Sequence, residues 1–168
     1  MTTRISKLAV VLAICTAGVV SSAPAVAAGD ATLTVQANVV GTCKWDTASA
    51  TLNLGPLDPS STSNATGSNS DLKFWCTKGA SYSITDNGGA NKTTTVATTG
   101  CGTGVTKLVN GGATDCVPYS FTATPTSGTG AGPSSLVSVT VNATISNGDY
   151  VGRTAGDYSD VVTFTITP

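Results

Sequence analysis

The stretch from Ala31 to Val40 reads ATLTVQANVV and ends three residues before Cys43. Ala31, Leu33, Val35, Ala37 and Val39 are small or apolar, and the intervening Thr32, Thr34, Gln36 and Asn38 are polar. A period of two puts the five apolar positions on one face of an extended strand, a conformation that β-branched residues favour. Such a strand must lay that face on a sheet. The sheet can belong to its own domain or to another copy of the chain, and the flanking sequence bears on which.

Upstream, Arg4 and Lys7 precede an apolar run from Leu8 to Val20, and Ala25-Val26-Ala27 has the small-x-small form of a cleavage site. This layout predicts a secretory signal peptide over residues 1–28, since thirteen apolar residues are too few to span a bilayer. Charged residues are 10% of the chain, with no His and no Glu, so all nine acids are Asp. Gly, Ser, Thr, Ala and Val dominate, which suits strands and turns and disfavours helices. Without Arg4 and Lys7, six basic residues face nine Asp, and 6 − 9 gives a net charge of −3. There is no basic patch, so nucleic acid is excluded as a partner.

Cys43, Cys76, Cys101 and Cys116 remain after the leader, and an even count in an exported chain reads as two disulfides. Three pairings are possible. Cys43–Cys76 with Cys101–Cys116 is favoured, because each joins segments that could lie side by side. A zinc site fails for want of His and of any C-x-x-C pair, so no metal or other cofactor is expected.

Downstream the chain reads as short strands between turns. Ala50–Leu54, Asp71–Cys76, Ser81–Thr85, Val117–Ala123, Leu136–Ile145 and Tyr158–Thr167 alternate or are rich in β-formers, while Pro59–Ser70 and Gly128–Pro133 read as loops. Asn87-Gly88-Gly89 and Asn110-Gly111-Gly112 are turn signals. About eight strands without helices predict an all-β, antiparallel sandwich of immunoglobulin-like form.

Little in the sequence supports catalysis. Without His no Ser-His-Asp or Cys-His pair exists. The Asp residues sit mostly beside turn residues (Asp58-Pro59, Asp86-Asn87, Gly148-Asp149, Gly156-Asp157), where a carboxylate usually bonds its own backbone. Ser70-Asp71-Leu72-Lys73 matches S-x-x-K, but that chemistry needs a helix, and strand parity sends Ser70 and Lys73 to opposite faces. Trp45, Phe74, Trp75 and Tyr82 could form a sugar-binding platform, although four aromatics near a disulfide are more often core.

Several motifs together resemble one family. They are Val39-Val40-Gly41-Thr42-Cys43, Leu52-Asn53-Leu54-Gly55, Phe74-Trp75-Cys76-Thr77-Lys78-Gly79, Tyr82-Ser83-Ile84-Thr85, Val117-Pro118-Tyr119-Ser120-Phe121 and the run from Ala155 to Ile166. The chain is similar to the spore coat U domain family, whose members include subunits of archaic chaperone–usher pili. In the strand where the family carries an aromatic-Gly-Arg-Ile motif, this chain has Val141-Asn142-Ala143-Thr144-Ile145. The resemblance implies an incomplete, pilin-type sandwich over residues 42–168, preceded by an N-terminal donor strand over residues 29–41. It implies Leu33, Val35, Ala37 and Val39 as donor residues and Tyr158, Val162, Phe164 and Ile166 as the edge of an acceptor groove. Donor-strand complementation between copies of the chain or related pilins is the implied assembly. A periplasmic chaperone and an outer-membrane usher are the implied partners, the cell surface or extracellular space is the implied destination, and adhesion or biofilm formation is the implied role. Two other readings stand beside it: a self-contained coat or matrix protein whose own first strand completes its sheet, and a secreted carbohydrate-binding module. The last of these could also be read as a secreted enzyme, but the lack of His and Glu speaks against it, and no enzyme is expected.

Overall fold

The alternating segments become ten strands, in a computed structural model that describes residues 29–168. They are β1 (Cys43–Thr47), β2 (Ala65–Cys76), β3 (Ser81–Asp86), β4 (Lys107–Asn110), β5 (Cys116–Pro118), β6 (Ser120–Thr124), β7 (Ser127–Thr129), β8 (Val137–Ile145), β9 (Tyr158–Ser159) and β10 (Phe164–Thr167). The only helical pieces among the described residues are a 3₁₀ turn at Ala90–Thr93 and a single turn, α1, at Asn147–Tyr150. The expected signal peptide lies outside the described residues.

All pairings are antiparallel. One sheet runs β1-β2-β8-β6, a second β10-β3-β7 and a small third β5-β4-β9. Phe74, Cys76 and Val139 of the first sheet meet Tyr82 and Ile84 of the second in one core cluster, so the two sheets form a sandwich. Trp45 packs edge-on against Phe74 with centroids 5.6 Å apart, and Phe74 against Tyr82 at 4.9 Å. These contacts make Trp45, Phe74 and Tyr82 core and leave no sugar platform built from the four aromatics. A second cluster gathers Val96, Val109 and the Cys101–Cys116 pair, and a third holds Val117, Ile145 and Tyr150.

Both favoured disulfides are formed, Cys43–Cys76 across the β1–β2 register and Cys101–Cys116. Several expected boundaries move, each for a physical reason. β2 starts at Ala65 inside the expected loop, because its first half finds a partner in β8 (Ala65↔Ile145, Gly67↔Ala143). Val117–Ala123 changes sheets at Tyr119, with β5 on β4 and β6 on β8. Tyr158–Thr167 splits into β9 and β10, which pair with different neighbours. Ala50–Leu54 carries no ladder at all. A register shift between Asn69 and Leu72 overturns simple parity. Lys73 pairs with Ser138, and the Ser70 hydroxyl lies 3.0 Å from that of Thr140, so both sit on the outer face. The serine hydroxyl thus engages a threonine and no general base.

Asp58 and Asp86 behave as turn residues, accepting from the N–H groups of Ser60 and Gly88 at 2.8 Å each. Asp115 does something else. It is only 6% exposed and follows the Asn110–Thr114 turn, where Ala113 takes the left-handed conformation (φ 51°). Its carboxylate accepts from the N–H of Cys116 (2.8 Å), the N–H of Thr154 (2.8 Å), the hydroxyl of Tyr158 (3.3 Å) and the guanidinium of Arg153 (3.4 Å). Burial alone would raise its pKa, but the backbone donors of Thr154 and Cys116 outweigh that and lower it from 3.8 to about 2.

Two predictions follow from these ties. Serine at both Cys43 and Cys76 should lower the unfolding free energy by about 4 kcal/mol, and at Cys101 and Cys116 by about 3, on the loop-entropy account, as read by denaturant titration. Asp115, with its depressed pKa, contributes stability that is full above its unfolded value and lost as pH falls toward about 2. Asp115→Asn should therefore be roughly 2 kcal/mol less stable than the parent at neutral pH, with the gap closing between about pH 4 and pH 2. A gap that stays constant across that range in thermal melts refutes the assignment.

Candidate functional site

The body has an open groove of about 1200 Å³. Its floor is apolar: Leu72 of β2, Val141, Ala143 and Ile145 of β8, Phe121 of β6, and Val117 and Leu108 from the small sheet. One wall is Ala48–Leu57 and the other runs from Arg153 to Phe164. Trp45, Leu72, Val141 and Phe164 belong to the first core cluster, whereas Leu54, Leu57, Tyr119 and Tyr158 pack on the third. The groove thus runs along the seam between two cores that no strand of the body covers.

The first wall explains why Ala50–Leu54 is not a strand. Leu52, Leu54 and Leu57 turn inward and are half-buried, as alternation requires, but the neighbour that would complete the ladder is the groove itself. Hydrogen bonds to its backbone come from side chains, Asn69 Nδ2 to the Thr51 carbonyl (3.2 Å) and the Gly55 N–H to Asn53 Oδ1 (2.8 Å). Among the described residues the backbone groups of Leu52 and Leu54 find no partner. The wall lies close on β2 because position 67 is glycine. A Cβ there would stand 2.9 Å from both Leu52 Cδ2 and the Asn53 carbonyl oxygen.

The second wall is tied on its inner side only. The Thr163 N–H donates to Asn87 Oδ1 (3.0 Å), and the carbonyls of Thr163 and Val161 accept from the N–H groups of Asn87 (3.1 Å) and Ala90 (2.8 Å). In extended chain, alternate residues aim their backbone groups at opposite edges, so Val162 presents its N–H and C=O to the outer edge, where no partner is found among the described residues. Asp160 holds this wall down. It accepts from the Tyr119 hydroxyl (2.9 Å), the Asn91 N–H (2.9 Å) and the Val161 N–H (2.8 Å). Its carboxylate occupies the space where a side chain on Gly89 (φ 97°) would sit. Burial, then the bond to Asp160 and the negative charges of Asp160 and Asp86, push the Tyr119 hydroxyl well above its ordinary pKa, so it stays a neutral donor.

Of the four residues expected at the groove edge, Tyr158, Val162 and Phe164 line it. Ile166 does not: it pairs with Ile84 and packs on the first cluster. The floor residues of β8, the Ala48–Leu57 wall and the carboxylates of Asp115 and Asp160 were not singled out from sequence. Alternation marked Leu52–Leu54 and Val141–Ile145 as strand, and Asp160 fell within the family-like run from Ala155 to Ile166, but nothing in the sequence placed any of them at a groove.

The chain divides into Met1–Ala37 and Asn38–Pro168. In the first unit, residues 31–37 carry no strand, and Leu33 and Val35 are 88% and 84% exposed. In the second, Val39 and Val40 are exposed, and the chain is first tied at Val40, whose carbonyl accepts from Thr77 Oγ1 (3.3 Å), and then at Thr42. The Thr42 N–H donates to Thr77 Oγ1 (3.1 Å), and the Thr77 N–H donates to the Thr42 carbonyl (2.8 Å). Among the described residues no three His, Cys, Asp or Glu side chains gather as a metal site, and no helix is long and apolar enough to cross a membrane.

A comparison with curated proteins finds no match. Among solved structures, a similar one is the crystal structure of the CsuC–CsuE chaperone–tip adhesion subunit pre-assembly complex from archaic chaperone–usher Csu pili of Acinetobacter baumannii. The likeness has 14% identity and a TM-score of 0.44 and covers 76% of this chain, which spans 40% of the length of that one. Residues 30–165 match the family described as Spore Coat Protein U domain, a span that takes in both groove walls and every strand but the last two residues of β10. The chain belongs to the Spore Coat Protein U domain family.

Proposed function

We propose that this protein is a structural subunit of a surface pilus assembled by the chaperone–usher route, in which Ala31–Val39 of one copy fills the groove of the next. The groove carries the reading: an apolar floor between two walls whose facing backbone groups lack partners is a site for an added strand. The chemistry supports it, because Leu33, Val35, Ala37 and Val39 share one face of an extended strand. Burying Leu33, Val35 and Val39 would contribute roughly 5–8 kcal/mol. Until a donor arrives, the open edge is an aggregation hazard, and a periplasmic chaperone would shield it before an outer-membrane usher passes the subunit outward. Adhesion or biofilm formation is the role such a polymer would serve.

The exported protein should run as a ladder of multimers that resists SDS and collapses to monomer on boiling. Val35→Asp places a carboxylate in the groove without a partner, at a cost of several kcal/mol. That variant should fold as a body yet fail as a donor, so on its own it should run as a monomer with no ladder. If Val35→Asp instead unfolds the isolated subunit, the strand completes its own domain and the self-contained coat reading takes its place.

A further inference from the structure

The wall segment from Gly152 to Asp157 has no strand of its own, and β9 beyond it holds to β4 through two residue pairs. Its polar ties converge on one buried side chain. Asp115 Oδ2 takes the Thr154 N–H and the Tyr158 hydroxyl, and Asp115 Oδ1 takes the Arg153 guanidinium and the Cys116 N–H. The single Tyr158 hydroxyl proton is shared between Asp115 Oδ2 (3.3 Å) and the nearer Thr154 carbonyl (2.7 Å), so the hydroxyl bridges the carboxylate and the wall backbone. Arg153, Thr154 and Tyr158 all line the groove, whereas Asp115 lies behind the wall, out of reach of any occupant. Asp115 is itself fixed from the far side: its neighbour Cys116 is bonded to Cys101, and the Arg153 guanidinium lies 3.7 Å from the Cys101 sulfur. The other half of the wall is held separately, by Asp160, Asn87 and Ala90.

We propose that Asp115, braced by the Cys101–Cys116 bridge, is a positioning residue for strand acceptance, setting the Arg153–Tyr158 end of the groove at the width an incoming strand requires. The inference rests on the donor-strand reading and adds to it which internal group preorganises the acceptor. An acceptor wall that is already placed loses less freedom when the strand docks, so its effect appears in how slowly the strand leaves.

The test uses the full exported chain carrying Val35→Asp, which cannot act as a donor, and a labelled synthetic peptide of residues 29–41 as the probe. Adding Asp115→Asn keeps the shape but replaces one acceptor oxygen by a donor. Release of the peptide should become about tenfold faster, the equivalent of one charged hydrogen bond. Tyr158→Phe should speed release as well, and the two changes together should give less than the product of their separate effects, because both act on one set of contacts. Ile84→Val, in the first core cluster but not among the residues that line the groove, serves as a control for simple destabilisation and should leave the release rate unchanged. Release from Asp115→Asn at the parent rate overturns the inference, as does an equal acceleration by Ile84→Val. Failure of the Val35→Asp parent to bind the peptide at all brings down the donor-strand reading and this inference with it, a result distinct from the other two.

Discussion

The constraint on which the rest depends is a pair of wall segments whose groove-facing backbone groups have no protein partner among the described residues. Backbone groups at Leu52, Leu54 and Val162 face a space with no strand in it, above a floor of Leu72, Phe121, Val141, Ala143 and Ile145. An unpaired amide removed from water costs free energy comparable to a lost hydrogen bond, and exposed apolar floor adds the cost of hydrating it. With no strand in that space, the two sheets are held together by the contacts elsewhere in the body. The Phe74-centred cluster, which draws on both sheets, is the largest of those contacts.

The remaining contacts are chosen accordingly. With a tenth of its residues charged, the chain has little use for surface ion pairs, which contribute little in any case. Its one ion pair among the described residues, Arg153 with Asp115, is largely buried and surrounded by further donors. Asp160 is satisfied in the same way by two N–H groups and a tyrosine hydroxyl. The buried Lys107 donates to the Gly102 carbonyl at 2.9 Å and so ties down the turn beside Cys101. In each case a charge is used to hold an irregular segment that no ladder holds.

Strand identity was legible wherever one face is buried against a partner. Leu72, Phe74 and Cys76 alternate inward in β2, and Val139, Ala143 and Ile145 do so in β8, as period-two reading requires. The reading failed where pairing, which sequence does not encode locally, decides the outcome. Ala50–Leu54 has the pattern of a strand and the burial of one, yet no ladder. The Ser70–Lys73 stretch obeys parity until one extra residue in the ladder turns both side chains the same way. Of the groove, the edge residues Tyr158, Val162 and Phe164 could be named from family resemblance. The floor could not, because Val141, Ala143 and Ile145 look like any other inward-facing residues of a sandwich. Asp115 was hidden for a different reason: in a chain where Asp58 and Asp86 are turn residues, nothing local distinguishes the Asp that a distant segment will wrap.

The two disulfides take on a specific meaning once the groove is in view. Cys43–Cys76 locks β1 to β2 at the root of the segment that continues into the Ala48–Leu57 wall. Cys101–Cys116 locks the hairpin that carries Asp115, on which the start of the opposite wall depends. Each wall thus has one covalent anchor behind it, and neither anchor crosses the groove. A bridge across the gap would have stabilised the empty body more directly, but it would also have closed the space. Anchoring each wall from behind limits the unfolded chain by the same entropic mechanism while leaving the walls apart. The architecture thus keeps an apolar slot open between two walls that are braced independently of one another.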